Sequence, residues 1–143
     1  MIHMRLVRVL IAEDNEDHLF LARVALQAVQ GVQIEVVAVQ DGQEALDYLH
    51  GRGQYDGREL PHLILLDLSM PRKDGLTVLK ELRADEDLQS LPVVVLTSSD
   101  RPEDVNAAYA LGANSYVNKA KGLSSLADYW TQTANLPDPA AKR

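Results

Sequence analysis

Short apolar runs alternate with amphipathic stretches along the chain, and this alternation predicts its secondary structure. Runs of branched aliphatic residues are typical of strands buried on both faces of a sheet. Apolar positions three and four residues apart, such as Leu21, Ala22, Ala25 and Leu26, predict helices between these runs. The predicted strands cover residues 6–12, 34–39, 63–66, 92–96 and 115–118.

Polar and glycine residues mark where the predicted helices begin and end. Asp14 or Asn15 can cap the first helix, and Gly31 is expected to end it. Ser99 or Asp100 is expected to cap the fourth helix.

Five strands alternating with five helices predict an α/β fold, in which a doubly wound parallel sheet is covered on both faces. The last helix is predicted over residues 124–134. Right-handed crossovers favour the flavodoxin-like strand order 2-1-3-4-5. We expect one domain over residues 5–134, followed by a short C-terminal tail at residues 135–143.

The composition excludes several classes of partner and site. The chain has 21 acidic and 14 basic residues and a formal net charge of −7, so we expect no nucleic-acid partner. No apolar run is long enough to span a bilayer, and we expect no membrane association. The absence of cysteine excludes disulfides and thiolate metal sites and is compatible with the cytoplasm, the location we expect.

Polar side chains stand where the predicted strands end. Glu13 and Asp14 follow the first strand, Asp67 ends the third, Thr97 follows the fourth and Lys119 follows the fifth. In a doubly wound sheet, these positions converge beyond the carboxyl ends of the strands.

Three carboxylates at that edge would repel one another, by roughly 4 kcal/mol per pair at about 4 Å and an effective dielectric constant of about 20. One lysine cannot balance them, whereas a divalent cation can, and hard oxygen ligands favour Mg²⁺. Such a pocket suits phosphoryl transfer, because a carboxylate is a competent nucleophile toward phosphorus. Asp67 is the candidate nucleophile, and the Thr97 hydroxyl could bind the transferred group.

This constellation is similar to the signature of response-regulator receiver domains. The residues that carry the resemblance are Glu13, Asp14, Asp67, Thr97, Tyr116 and Lys119. Residues 67–75, Asp-Leu-Ser-Met-Pro-Arg-Lys-Asp-Gly, also resemble the family's segment around its phosphoacceptor. The resemblance implies a phosphorelay protein that accepts a phosphoryl group on Asp67 from a histidine kinase. Such a protein is not an enzyme in the usual sense, since it catalyses only its own phosphorylation and dephosphorylation.

The resemblance also implies a role for each site residue. Asp67, Lys119 and Thr97 would be the catalytic side chains. The Mg²⁺ ligands would be the carboxylates of Glu13, Asp14 and Asp67 and the main-chain carbonyl of Ser69.

Thr97 and Tyr116 occupy the positions of the family's coupled switch pair. Phosphorylation would draw the hydroxyl inward and the ring after it, reshaping the face formed by the fourth helix, fifth strand and fifth helix. Output would then be protein–protein contact, or transfer to a downstream phosphotransfer protein.

A narrower resemblance concerns the partner. Three segments resemble single-domain regulators of bacterial phytochrome histidine kinases. They are the long loop that follows the second helix, the fourth-strand segment at residues 92–99, and the ending from residues 128–130 to 135–137. This implies a bacteriophytochrome kinase. Trp130 fits a core stripe of the last helix with Leu123, Leu126 and Ala127, but an exposed share of that helix could instead form a homodimer face, with Tyr129 and Trp130 as the candidates.

One residue departs from the family pattern. Ala120 follows Lys119, where the family usually has a proline after a cis bond. A cis bond before alanine would cost about 3 kcal/mol, which favours a trans bond and a different loop shape.

Two other functions remain alternatives. A degenerate receiver would bind a partner without taking phosphate, although the full set of acids, threonine and lysine argues against it. A metal-dependent phosphatase of similar topology would need a second aspartate at the position of Ser69, which lacks a general acid. His3, His18, His50 and His62 show no metal-ligand spacing, and we interpret each as a surface or hydrogen-bonded histidine.

Overall fold

The computed structural model of the chain describes residues 5–29, 31–99 and 101–119. Three of the predicted features lie outside these residues. They are the last helix with its tail, the candidate dimer face at Tyr129 and Trp130, and the bond between Lys119 and Ala120. The strands are β1 (Arg5–Ala12), β2 (Val32–Val39), β3 (Leu63–Asp67), β4 (Val93–Thr97) and β5 (Ser115–Asn118). The helices are α1 (Glu16–Gln27), α2 (Gly42–His50), α3 (Gly75–Ala84) and α4 (Pro102–Ala110), with a 3₁₀ turn at Gly53–Tyr55.

The five strands are parallel and form one sheet in the order β2-β1-β3-β4-β5. This confirms the predicted flavodoxin-like order. Every residue of β3 and β4 is buried, as expected for central strands covered on both faces. No helix within the described ranges is long and apolar enough to cross a membrane.

Neighbouring residues of the central strands pack into two separate core layers. Leu66 and Val95 are buried with side chains of α2 and α3. Leu65 and Val94 point to the opposite face and are buried with side chains of α1. Burying each such aliphatic side chain stabilises the fold by roughly 1.5–3 kcal/mol. These two layers fix the sheet and thereby the positions of the strand ends.

Three helices begin at a side-chain cap. Asn15, Asp41 and Asp74 precede α1, α2 and α3, and each accepts a hydrogen bond from the main-chain N–H three residues further on. Of the two predicted caps for α1, the structure therefore uses Asn15.

Two predicted helix boundaries are wrong. Arg101, rather than Ser99 or Asp100, stands at the cap position of α4, where no side chain provides a capping hydrogen bond. Ser99 instead accepts the Arg101 N–H at 3.2 Å. The first helix ends at Gln27, before Gly31, because the two following amides bond to carbonyls three residues back and tighten the last turn.

Candidate functional site at the carboxyl edge of the sheet

The side chains that follow the strands surround an open cavity of about 510 Å³ at the carboxyl edge of the sheet. β1 leads into Glu13 and Asp14, β3 and β4 end on Asp67 and Thr97, and Lys119 follows β5. The structure thus brings together all five residues that the sequence places at strand ends. The remaining lining residues are Asn15, His18, Ser69, Ser98 and Ser99.

Three carboxylates lie side by side in this cavity. One oxygen each from Glu13, Asp14 and Asp67 falls within 4.8 Å of the others. Glu13 and Asp67 are buried, whereas Asp14 is exposed at the cavity mouth. A donor set of hard oxygens that is open to water on one side fits a divalent cation such as Mg²⁺.

Lys119 brings a positive charge to these carboxylates. Its ammonium group donates a hydrogen bond to Glu13 and lies 3.2 Å from Oδ2 of Asp67. It also lies 3.1 Å from Nδ1 of His18. The Lys119 side chain is only 8% exposed, so these contacts are shielded from water. One ammonium group still leaves the three carboxylates with an excess of negative charge.

Burial beside a second carboxylate changes the acidity of Glu13. Burial raises the pKa of Glu13 from 4.5 to about 7, and the neighbouring Asp67 acts in the same direction. Hydrogen bonds from the Lys119 ammonium and the Asn15 N–H favour the ionised form and offset part of the rise. Glu13 therefore exchanges a proton near neutral pH, and a bound cation would favour its ionised form.

Close main-chain packing holds Asp67 in place. The Ser69 N–H donates to Oδ1 of Asp67 at 3.2 Å, and the Gly75 N–H donates to the Leu68 carbonyl at 3.0 Å. A methyl group on Gly75 would overlap the Asp67 carbonyl oxygen, so this approach requires glycine. Ser69, predicted to offer its carbonyl to the metal, is thereby kept at the cavity.

The β3–α3 segment (residues 68–74) is braced by the start of α2. Arg72 adopts a left-handed conformation with φ 64°, which costs a non-glycine residue about 1–2 kcal/mol. Its guanidinium group donates to Oδ1 of Asp41 at 2.9 Å. Desolvation raises the pKa of Asp41, but hydrogen bonds from Arg72 and the Glu44 N–H outweigh it and lower that pKa. A methyl group on Gly42 would overlap the Lys73 carbonyl, so the contact is close on the main chain as well.

Ser99 lies between the two predicted switch residues. Its N–H donates to Oγ1 of Thr97 at 3.1 Å, and its carbonyl accepts a hydrogen bond from the Tyr116 hydroxyl. Its own hydroxyl donates to Oδ2 of Asp104 in α4 at 2.5 Å. That hydrogen bond and the one from Arg101 lower the pKa of Asp104. Ser99 therefore connects the ends of β4 and β5 to α4.

From the sequence, His18 is interpreted as a surface or hydrogen-bonded histidine and not as a site residue. The structure places its ring in the cavity wall, beside Lys119. His18 is the third residue after the cap Asn15, a position whose side chain can turn back over the start of the helix. No local pattern marks it as a site residue, because its approach to Lys119 depends on the tertiary fold.

The chain is similar to known proteins over most of its length. The family model of the response regulator receiver domain matches residues 9–130. Response regulator Rcp1 of Synechocystis sp. is 36% identical over 136 residues, which cover 90% of this chain and 92% of Rcp1.

Solved structures of similar proteins share the fold over most of the chain. The crystal structure of Mn²⁺-bound Rcp1 has a TM-score of 0.83 at 35% identity and covers 92% of this chain and 99% of that one. The phosphorylated cyanobacterial phytochrome response regulator RcpA has a TM-score of 0.82 at 38% identity, with coverages of 92% and 98%. The bacteriophytochrome response regulator RtBRR has a TM-score of 0.79 at 37% identity, with coverages of 96% and 87%. The chain therefore belongs to the response regulator receiver domain family.

Proposed function

We propose that Asp67 is the phosphoacceptor of this response regulator and that a histidine kinase supplies the phosphoryl group. The surroundings of the Asp67 carboxylate are the main support for this proposal. Its carboxylate lies within 4.8 Å of oxygens of Glu13 and Asp14 and 3.2 Å from the Lys119 ammonium. A carboxylate in these surroundings can act as a nucleophile toward phosphorus while nearby positive charge stabilises the transferring group. The chain then catalyses only its own phosphorylation and dephosphorylation.

In the transfer step, a carboxylate oxygen of Asp67 attacks the phosphorus atom of the kinase phosphohistidine. An O–P bond forms while the N–P bond breaks, and the electron pair of the N–P bond returns to the imidazole. Lys119 donates a hydrogen bond to the phosphoryl oxygens during transfer. Thr97, buried at the cavity wall, donates its hydroxyl to the phosphoryl group of the product.

We propose Mg²⁺ as the cofactor, held by the Glu13, Asp14 and Asp67 carboxylates and the Ser69 carbonyl. When bound, it would supply positive charge to the phosphoryl oxygens. The oxygen donor set and the exposure of Asp14 support a hard cation that retains water ligands. The Mn²⁺-bound form of Rcp1 is consistent with a divalent cation in this family.

Ser99 would transmit the conformational change from Thr97 to β5 and α4. When the Thr97 hydroxyl turns to the phosphoryl group, the Ser99 N–H loses its acceptor. The Ser99 carbonyl and hydroxyl hold Tyr116 and Asp104, so a shift of Ser99 would be passed to β5 and α4. We propose that this reshapes the face formed by α4, β5 and the predicted last helix.

The cognate kinase that we propose is a bacteriophytochrome, because RcpA and RtBRR are named as phytochrome and bacteriophytochrome response regulators. A homodimer through Tyr129 and Trp130, and a downstream phosphotransfer protein, belong to the same proposal. So does a cytoplasmic location, since a chain without cysteine needs no oxidising compartment.

Mass spectrometry of the intact protein tests the proposal. After incubation with acetyl phosphate and Mg²⁺, we expect the wild type to gain the mass of one phosphoryl group. The gain should be absent in EDTA and absent in Asp67→Asn, whose circular dichroism spectrum should match the wild type. Stable labelling of the folded Asp67→Asn variant would contradict the assignment of the acceptor. No labelling of the folded wild type would favour the degenerate receiver.

A further inference from the structure

His18 contacts the catalytic lysine directly. Its Nδ1 lies 3.1 Å from Nζ of Lys119 and 3.8 Å from Oε1 of Glu13. An ammonium group has no acceptor site, so Lys119 must be the donor and His18 Nδ1 the acceptor. Acceptance at Nδ1 requires the tautomer that carries its proton on Nε2.

The Lys119 ammonium donates to Glu13 Oε1 and to His18 Nδ1 at 3.1 Å, and it forms an ion pair with Asp67 Oδ2 at 3.2 Å. Glu13 and Asp67 are carboxylates that we assign to the metal and to phosphoryl transfer. His18 differs because it does not belong to the cluster of three carboxylates. It can therefore retain its hydrogen bond to Lys119 when the carboxylates turn to other partners.

The position of His18 is fixed by the turn that begins α1. The Asn15 N–H donates to Oε2 of Glu13 at 3.2 Å, and the His18 N–H donates to Oδ1 of Asn15 at 3.0 Å. A chain of hydrogen bonds thus runs from Glu13 through Asn15 to His18. It fixes the main chain of His18 beside the cavity, and from there the ring, on a side chain that is 37% exposed, contacts Lys119.

We propose that His18 is a positioning residue for Lys119. Its ring keeps the ammonium group directed into the cavity during phosphoryl transfer, when Glu13 and Asp67 are engaged elsewhere. The proposal rests on the proposed phosphoacceptor function, because it concerns the placement of the lysine that assists that reaction. The ring contacts of His18 are to Lys119 and Glu13, not to the Asp67 carboxylate.

The test compares His18→Ala with His18→Asn. Alanine removes the acceptor, whereas the asparagine side-chain oxygen can replace Nδ1 close to the main chain. His50→Ala is the matched control, because His50 is also half-buried on a helix but contacts Asp85 at 3.6 Å. Each protein is labelled with acetyl phosphate at saturating donor and Mg²⁺, and Mg²⁺ affinity is measured separately by calorimetric titration.

We expect His18→Ala to bind Mg²⁺ as the wild type does and to phosphorylate more slowly. Removing a transition-state donor costs about 100- to 1,000-fold in rate, so displacing Lys119 without removing it should cost about tenfold. His18→Asn should restore most of the rate, and His50→Ala should match the wild type. An unchanged rate in His18→Ala, a loss of Mg²⁺ affinity or a failure of asparagine to restore the rate would each overturn the positioning role.

A second readout does not depend on phosphorylation. In a ¹H–¹⁵N spectrum of lysine side chains with Mg²⁺ present, a hydrogen-bonded Lys119 ammonium should give a slowly exchanging signal, assigned by its loss in Lys119→Arg. We expect that signal in the wild type and His18→Asn and not in His18→Ala. Its persistence in His18→Ala would overturn the proposal. If the wild type does not label but this pattern holds, the phosphoacceptor function fails while the contact between His18 and Lys119 stands.

Discussion

Arg8 of β1 and Lys119 after β5 each contact two carboxylates, in opposite surroundings. Arg8 lies 3.0 Å from Glu35 and 2.9 Å from Glu59, whose side chains are 48% and 76% exposed. Lys119 contacts Glu13 and Asp67, whose side chains are 1% and 7% exposed. Water solvates the acids around Arg8, whereas the acids around Lys119 depend on their protein partners.

The Arg8 cluster serves the fold. The Arg8 N–H donates to Nδ1 of His62 at 2.9 Å, and its guanidinium donates to the Leu60 carbonyl at 3.5 Å, so it ties β1 to the start of β3. Above about pH 7, where Glu13 is ionised as well as Asp67, the Lys119 cluster buries an excess of negative charge, which opposes folding. The comparison shows that unbalanced charge is concentrated where the chemistry is proposed, as expected when a site is maintained at the expense of stability.

Removing Lys119 should have the largest effect on stability. Without metal at pH 8, Lys119→Ala leaves buried carboxylates with no cation, and we expect a loss of about 3 kcal/mol in the free energy of unfolding. Denaturation in urea with EDTA measures this loss, and added Mg²⁺ should restore most of it. A variant as stable as the wild type in EDTA would contradict the claim that the buried carboxylates depend on Lys119.

Neutralising Glu13 should act in the opposite direction. Its folded-state pKa of about 7 lies above the usual 4.5, so its contribution to stability is full below pH 4.5 and is lost as the pH rises through 7. Without metal, the wild type should therefore lose on the order of 2 kcal/mol between pH 5 and pH 8. Glu13→Gln should reduce this dependence and be the more stable protein at pH 8. Equal pH profiles for the two proteins in EDTA would show that Glu13 titrates normally.

Removing Arg8 should have a smaller effect that does not depend on metal. Because its partners are exposed, we expect Arg8→Ala to lose about 1 kcal/mol, from the ion pairs and the buried stem. Neither Mg²⁺ nor a change from pH 6 to pH 8 should alter that loss. Strong rescue of Arg8→Ala by Mg²⁺, beyond the stabilisation of the wild type, would remove the distinction between the two clusters.

The smallest effect is expected at Ser99. Ser99→Ala removes the hydrogen bond to the exposed end of α4, so the thermal midpoint should barely change. The pKa of Asp104 should nevertheless rise toward its ordinary value, because the Ser99 hydroxyl helps to lower it. An NMR titration of the Asp104 carboxyl carbon measures the shift, with Ser98→Ala as the control. No change in that pKa would mean that Ser99 does not hold α4 through Asp104.

Local sequence patterns were sufficient to predict the sheet order and the strand-end residues Asp67, Thr97 and Lys119. Aliphatic runs define the buried strands, and a doubly wound sheet brings their carboxyl ends to one edge. The contact between Arg72 and Asp41 was not predictable in this way. It joins residues 31 positions apart through a left-handed main chain that no local pattern marks. The orientation of His18 likewise depends on the tertiary position of Lys119.

The most direct test of the central claim is to map the phosphorylated residue. Protein labelled with acetyl phosphate and Mg²⁺ is reduced with borohydride, which converts an aspartyl phosphate to homoserine, and the resulting peptides are sequenced by mass spectrometry. We expect homoserine at position 67 and unmodified Glu13 and Asp14. Homoserine at position 14, or phosphate retained on a hydroxyl such as that of Thr97, would contradict it.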